Sequence, residues 1–189
     1  MNKTTFILFF LIHLSKFSSF AQVNIDTSAI KKELRLIFER DQKTRTTRDS
    51  VDFMKFIDST NLARIEVLLN KYGWLGRSFV GEQGNSTVFL VVQHSDLATQ
   101  EKYFPLLKKS VEMGESRPSN MALMQDRILM RKGQKQIYGS QVVSGKEGKQ
   151  EFYPIKDEKN VNVRRAQMGM TSLEEYAKHF GIDYVLPKE

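Results

Sequence analysis

Gln136-Ile137-Tyr138-Gly139-Ser140-Gln141-Val142-Val143 is where the chain changes period. Upstream, apolar residues recur every three or four positions, the spacing of helices that bury one face. From Gln136 to Val143 β-branched and aromatic residues crowd together, and they do so again over Gln150 to Ile155. Between the two runs lies a polar link, Ser144-Gly145-Lys146-Glu147-Gly148-Lys149. Two such runs around a glycine-containing turn predict a β-hairpin. The predicted architecture is therefore mainly α with one β-hairpin, a single compact helical domain of the α+β kind.

Working outward from the hairpin, Ser119 or Asn120 can cap a helix running to Arg131, with Gly133 behind it. Leu97 to Met113 is a second helical stretch ending at Gly114, which Pro105 is expected to kink or divide. Val88 to Val92 is densely apolar. Its β-branched content also fits a buried strand, but Asn85 or Ser86 as an N-cap favours a buried helix. Residues 73–84 read as a glycine-rich connection. Val51 to Tyr72 carries Phe53, Phe56, Ile57, Leu62, Ile65, Leu68 and Leu69 at mostly helical spacing, with Ser59-Thr60-Asn61 a candidate break and Gly73 a stop. Ile30 to Arg40 reads as a helix with Leu34, Ile37 and Phe38 on one face, followed by a polar connection from Asp41 to Asp49. Beyond the hairpin, residues 156–162 read as polar loop, and Thr171-Ser172 opens a short last helix to Phe180.

The N-terminus has the form of a cleavable secretion signal. Lys3 supplies the positive region, Phe6 to Leu14 the apolar core, and Ser19-Phe20-Ala21 the small residues before cleavage. The apolar run is well short of the roughly 20 residues that a membrane span needs. Residues 1–21 are thus expected to be a signal peptide, 22–29 a linker, and 30–189 one globular domain, exported to the periplasm or outside the cell. After signal removal no transmembrane segment is expected. Cleavage leaves 168 residues and lowers the net charge from +7 to about +5.

Composition narrows the chemistry. The chain has no cysteine and three histidines, one of which, His13, lies in the signal. Thiol catalysis, disulfides and cysteine-type zinc sites are excluded, and no metal is expected. The basic residues are dispersed among acids rather than gathered in a stripe with aromatics, which argues against nucleic acid. The segment 73–84 lacks the Gly-Lys-Ser/Thr ending of a phosphate-binding loop and does not match the dinucleotide fingerprint, so no cofactor is expected.

A few polar residues stand in apolar surroundings. On a helical wheel Asp126 falls between Ala122 and Met130, and Arg127 between Leu123 and Met124. Such charges must be paired or hydrogen-bonded. They are either buried ties or parts of a site. His94, in Gln93-His94-Ser95-Asp96, is the candidate acid/base, with Asp126 the candidate carboxylate to orient it or position a water. Asp96 can also orient it, or cap the next helix. Alternation along the first hairpin strand puts Gln136, Tyr138 and Ser140 on one face and Ile137, Gly139 and Gln141 on the other. Gln136, Tyr138 and Gln141 are candidate ligand contacts. Arg127 and Arg164, the latter in the pair Arg164-Arg165, suit an anionic group.

These segments resemble a family of bacterial proteins of unknown function. The likeness runs through Gly73-Trp74-Leu75-Gly76, Val80-Gly81, Val92 to Asp96, Asp126-Arg127, Gly133 to Gln141, and Val163-Arg164-Arg165 through Met168-Gly169-Met170 to Tyr176. It spans residues 60–180. The family more usually has threonine at the position of Ser140. The resemblance implies a shared domain and supplies no catalytic residue. Two functions are compatible with the residues. One is an exported hydrolase acting on an envelope or extracellular polymer, with His94 as acid/base. The other is a non-enzymatic binding or interaction domain for a polar or anionic ligand, in which the same residues are structural ties.

Overall fold

A computed structural model describes residues 26–47, 50–145 and 148–187. The expected signal peptide and the first half of the expected linker, residues 22–25, lie outside the described residues. The elements in chain order are α1 (Ser28–Thr46), α2 (Val51–Tyr72), α3 (Arg77–His94), α4 (Leu97–Glu112), α5 (Pro118–Arg131), β1 (Val142–Ser144), β2 (Gln150–Phe152), a 3-10 turn (Glu158–Asn160), α6 (Val161–Gln167) and α7 (Leu173–Lys178). The mainly helical architecture with one antiparallel hairpin is as the sequence predicts.

The centre of the molecule is α3, which touches α1, α2, α4 and α5. This explains its composition. Val80, Val88, Phe89, Val91 and Val92 are buried, and from Gly84 to His94 no residue of the helix is exposed, the pattern of a helix segment enclosed by its neighbours. The residues packed on them are Ile30, Leu34 and Ile37 of α1, Ile65, Leu68 and Leu69 of α2, Tyr103 and Leu107 of α4, and Met124 of α5. A second, smaller cluster of Ile155, Val161 and Leu173 lies under the hairpin, α6 and α7.

Several boundaries differ from the sequence reading. The expected connection over 73–84 is mostly helix, because α3 begins at Arg77; a kink at Gly81, with φ +78°, joins its two parts. Asn85 is not a cap. It is buried inside α3, and its amide donates to the Leu75 carbonyl and to Ser116. Nor does α2 break at Ser59-Thr60-Asn61. The Ser59 and Thr60 hydroxyls bond back to the Phe56 carbonyl and stay within the helix. Pro105 leaves α4 continuous because it lies on the exposed side, where the carbonyl it frees can meet water. The cap of α5 is Arg117, with Pro118 in the first turn. The expected polar loop over 156–162 holds the 3-10 turn, and α6 begins within its last two residues.

The largest difference is in the hairpin. Only Val142–Ser144 pairs with Gln150–Phe152, in the register Val142↔Phe152, Val143↔Glu151 and Ser144↔Gln150. Gln136 forms one isolated bridge with Ile155. Residues 137–141 form a loop, not a strand. Gly139 at φ +67° turns the chain, and a Cβ there would lie 2.9 Å from Leu173 Cδ1. The expected alternation fails accordingly: Gln136, Ser140 and Gln141 are all buried.

Candidate functional site

The sequence-selected residues fall into two groups with different surroundings. The first group builds the 137–141 loop. Asp126 is fully buried in α5, and its carboxylate accepts the N–H groups of Ile137 (2.7 Å), Tyr138 (3.1 Å) and Ser140 (3.0 Å). Burial pushes its carboxyl above the ordinary range, against the pull of those donors. The buried Gln136 amide acts as a substitute peptide group. It accepts from Gln141 N and donates to the carbonyls of Gln141 and Tyr153.

The loop carbonyls are held from the other side. Arg164 Nε donates to Ile137 O at 2.9 Å, and its remaining nitrogens reach the carbonyls of Lys156 and Asp157 and the Asp157 carboxylate. Arg165, 1% exposed, donates to Tyr138 O and Thr171 O and lies over the Tyr176 ring. The Tyr176 hydroxyl donates to Ser140 O. Side chains thus satisfy nearly every backbone group of the loop, as burial of an irregular segment demands. Asp126 is therefore not the partner of His94. This corrects the sequence expectation: its oxygens are engaged by the loop backbone. Gln136 and Arg164 are engaged in the same way and present no free donor array to a ligand. Tyr138 contributes its backbone to the loop, and its side chain is half-buried.

The second group surrounds His94 at the C-terminal end of α3. The partner here is Asp41, on α1, whose nearest oxygen lies 3.6 Å from His94 Nδ1. Arg45 stands between them. Its NH2 nitrogen is 2.6 Å from His94 Nδ1, 2.8 Å from Asp41 Oδ1 and 2.8 Å from Asp58 Oδ1 on α2. Its Nε reaches Asp41 Oδ2 at 3.2 Å, and Gln42 donates to the same oxygen. Burial would raise the pKa of Asp41, but the His94 and Arg45 side chains beside it reverse that and hold the carboxyl well below the usual carboxylate range. Ligand atoms of Asp41, Asp58 and His94 lie within 4.8 Å of one another, a spacing that would also suit a divalent cation. Here these acceptors share the Arg45 guanidinium.

Arg127 and Gln141 border this centre. Arg127 Nε donates to Gln141 Oε1 at 3.1 Å, and NH1 reaches Gln93 O at 3.3 Å. That same carbonyl accepts from the buried Gln100. Arg127 has no carboxylate partner among the described residues. Burial lowers its pKa, and the charges of Arg131 and Arg45 lower it further. The loop built by the first group therefore presents Gln141 to Arg127, which also reaches the carbonyl of Gln93, the residue before His94 on α3. Asp96 caps α4 by accepting from Thr99 N.

Sequence reasoning missed Asp41, Arg45 and Asp58. The missed signal is the buried stripe of α1, which runs Ile30, Leu34, Ile37, Asp41 and Thr44 at helical spacing. Extending the apolar period past Arg40 puts Asp41 on the buried face. A polar residue on such a face is more informative than the apolar ones beside it.

A family model described as a family of unknown function (DUF6624) matches residues 29–187, so the chain belongs to that family. The match begins upstream of the segments that carry the resemblance and takes in α1 with Asp41 and Arg45. No curated protein and no solved structure matches the chain.

Proposed function

Starting from membership of that family, we propose that the protein is an exported domain that binds a polar or anionic ligand at the His94 centre. In the enzymatic form of this reading it is a hydrolase of an envelope or extracellular polymer. His94 then handles the proton, Asp41 holds the Arg45 guanidinium that contacts His94, and Arg127 holds an anionic group of the substrate. The observation that carries the reading is the half-buried Arg127 guanidinium, which has no acidic partner among the described residues and reaches the carbonyl of Gln93, the residue before the part-exposed His94. A buried cation without an anion calls for one. The second reading is a non-enzymatic binding or interaction domain. Its support is the engagement of Asp126, Gln136 and Arg164 in holding the loop.

The test is a turnover and binding screen against cell-wall fragments, comparing wild type with His94→Ala and Arg127→Met. The hydrolase reading expects turnover in wild type, its loss in His94→Ala, and weaker ligand binding in Arg127→Met. Equal turnover in wild type and His94→Ala removes His94 from any catalytic role. Binding without turnover in wild type leaves the second reading standing.

A further inference from the structure

We propose that Arg45 is a positioning residue that fixes the resting tautomer of His94, donating to Nδ1 so that the imidazole presents Nε2–H to the ligand. A guanidinium is always protonated and has no acceptor. At 2.6 Å between Arg45 NH2 and His94 Nδ1, the nitrogen lone pair must be on the histidine. An Nδ1–H tautomer would set two donors against each other. In the neutral ring the remaining hydrogen is then on Nε2. The Nε2 atom has no hydrogen-bond partner among the described residues, and the side chain is 19% exposed.

Arg45 is itself held from two helices. Nε serves Asp41 on its own helix, and the NH2 hydrogens face Asp41, Asp58 and His94. Three acceptors compete for two hydrogens, so the group has no reason to leave while the carboxylates are ionised. The direct His94–Asp41 approach, at 3.6 Å, is too long for a hydrogen bond. The familiar histidine–carboxylate dyad, in which the carboxylate takes Nδ1–H and frees Nε2 as a base, is therefore not closed in the resting site. Instead His94 acts as a donor toward an acceptor oxygen, such as a carbonyl or an oxyanion. This inference deepens the proposed function and rests on it for its consequence, though not for its geometry.

Long-range 1H–15N correlation spectra of the labelled full chain at about pH 8, above the ordinary imidazole range, read the tautomer directly. His94 signals are assigned by their loss in His94→Gln. The expected wild-type pattern has the proton on Nε2. Arg45→Met is expected to reverse it toward Nδ1–H as the ring turns to Asp41, while Arg45→Lys, which keeps a donor, retains Nε2–H. An Nδ1–H pattern in wild type overturns the proposal even if Arg45→Met fails to fold, and so does an unchanged pattern in folded Arg45→Met. An Nε2–H pattern without ligand binding would sink the proposed function and leave this inference intact. Ligand binding with an Nδ1–H pattern would do the reverse.

Discussion

Asp41 shows how one side chain can belong to both the core and the candidate site. It sits on the buried stripe of α1 and is 2% exposed, yet its carboxyl, paired with Arg45, is held well below the usual carboxylate range. Its folded pKa lies below its unfolded value, so the native state binds the proton more weakly than the unfolded chain does. The associated stability is present above the unfolded carboxyl value and is lost as pH falls toward the folded one. Between pH of about 6 and about 3, wild type is expected to lose about 1 kcal/mol more stability than Asp41→Asn. Urea midpoints at the two pH values measure it. Parallel losses in both proteins would show that Asp41 carries none of the acid sensitivity.

At the scale of elements, the 137–141 loop replaces a strand that local propensity favours. Period-2 alternation would have placed its N–H groups in a ladder. Instead the Asp126 carboxylate gathers three of them, and Arg164 and Arg165 take the facing carbonyls. Asp126→Asn keeps one oxygen and turns an NH2 donor toward the remaining N–H groups. The expected cost is about 3 kcal/mol, from a lost charged acceptor and an unsatisfied buried donor. Faster amide exchange at Ile137, Tyr138 and Ser140 should accompany it. A variant with an unchanged urea midpoint and unchanged exchange would mean that the loop holds its shape without the carboxylate.

In the whole molecule, two apolar clusters differ in how they are held. The larger joins α1 to α5 around α3. The smaller is three buried residues with aromatic neighbours, and polar ties supply much of its cohesion. Leu107→Ala in the first cluster and Leu173→Ala in the second each remove a fully buried leucine and should cost about 3 kcal/mol. Their reach should differ. Leu107→Ala is expected to speed amide exchange throughout the helices. Leu173→Ala should speed it in β1, β2, α6 and α7 while α1 to α5 keep their protection. Identical exchange maps for the two variants would show that the chain opens as one unit.

By itself the sequence determined the helices whose apolar residues keep a regular period, the Gly73 stop, the turn-rich hairpin link, and the prominence of His94, Asp126 and Arg127. These are local patterns, and a local pattern is legible without knowing what it packs against. Only the tertiary structure decided the partners. His94 meets Asp41 and Arg45 from a helix some fifty residues earlier in the chain, and Asp126 meets the loop backbone rather than His94. The physical reason is that a buried charge requires a partner, but spacing along the chain does not name it. In this fold α1 places Asp41 and Arg45 against His94 at the end of α3, and the segment after α5 folds back to enclose Asp126.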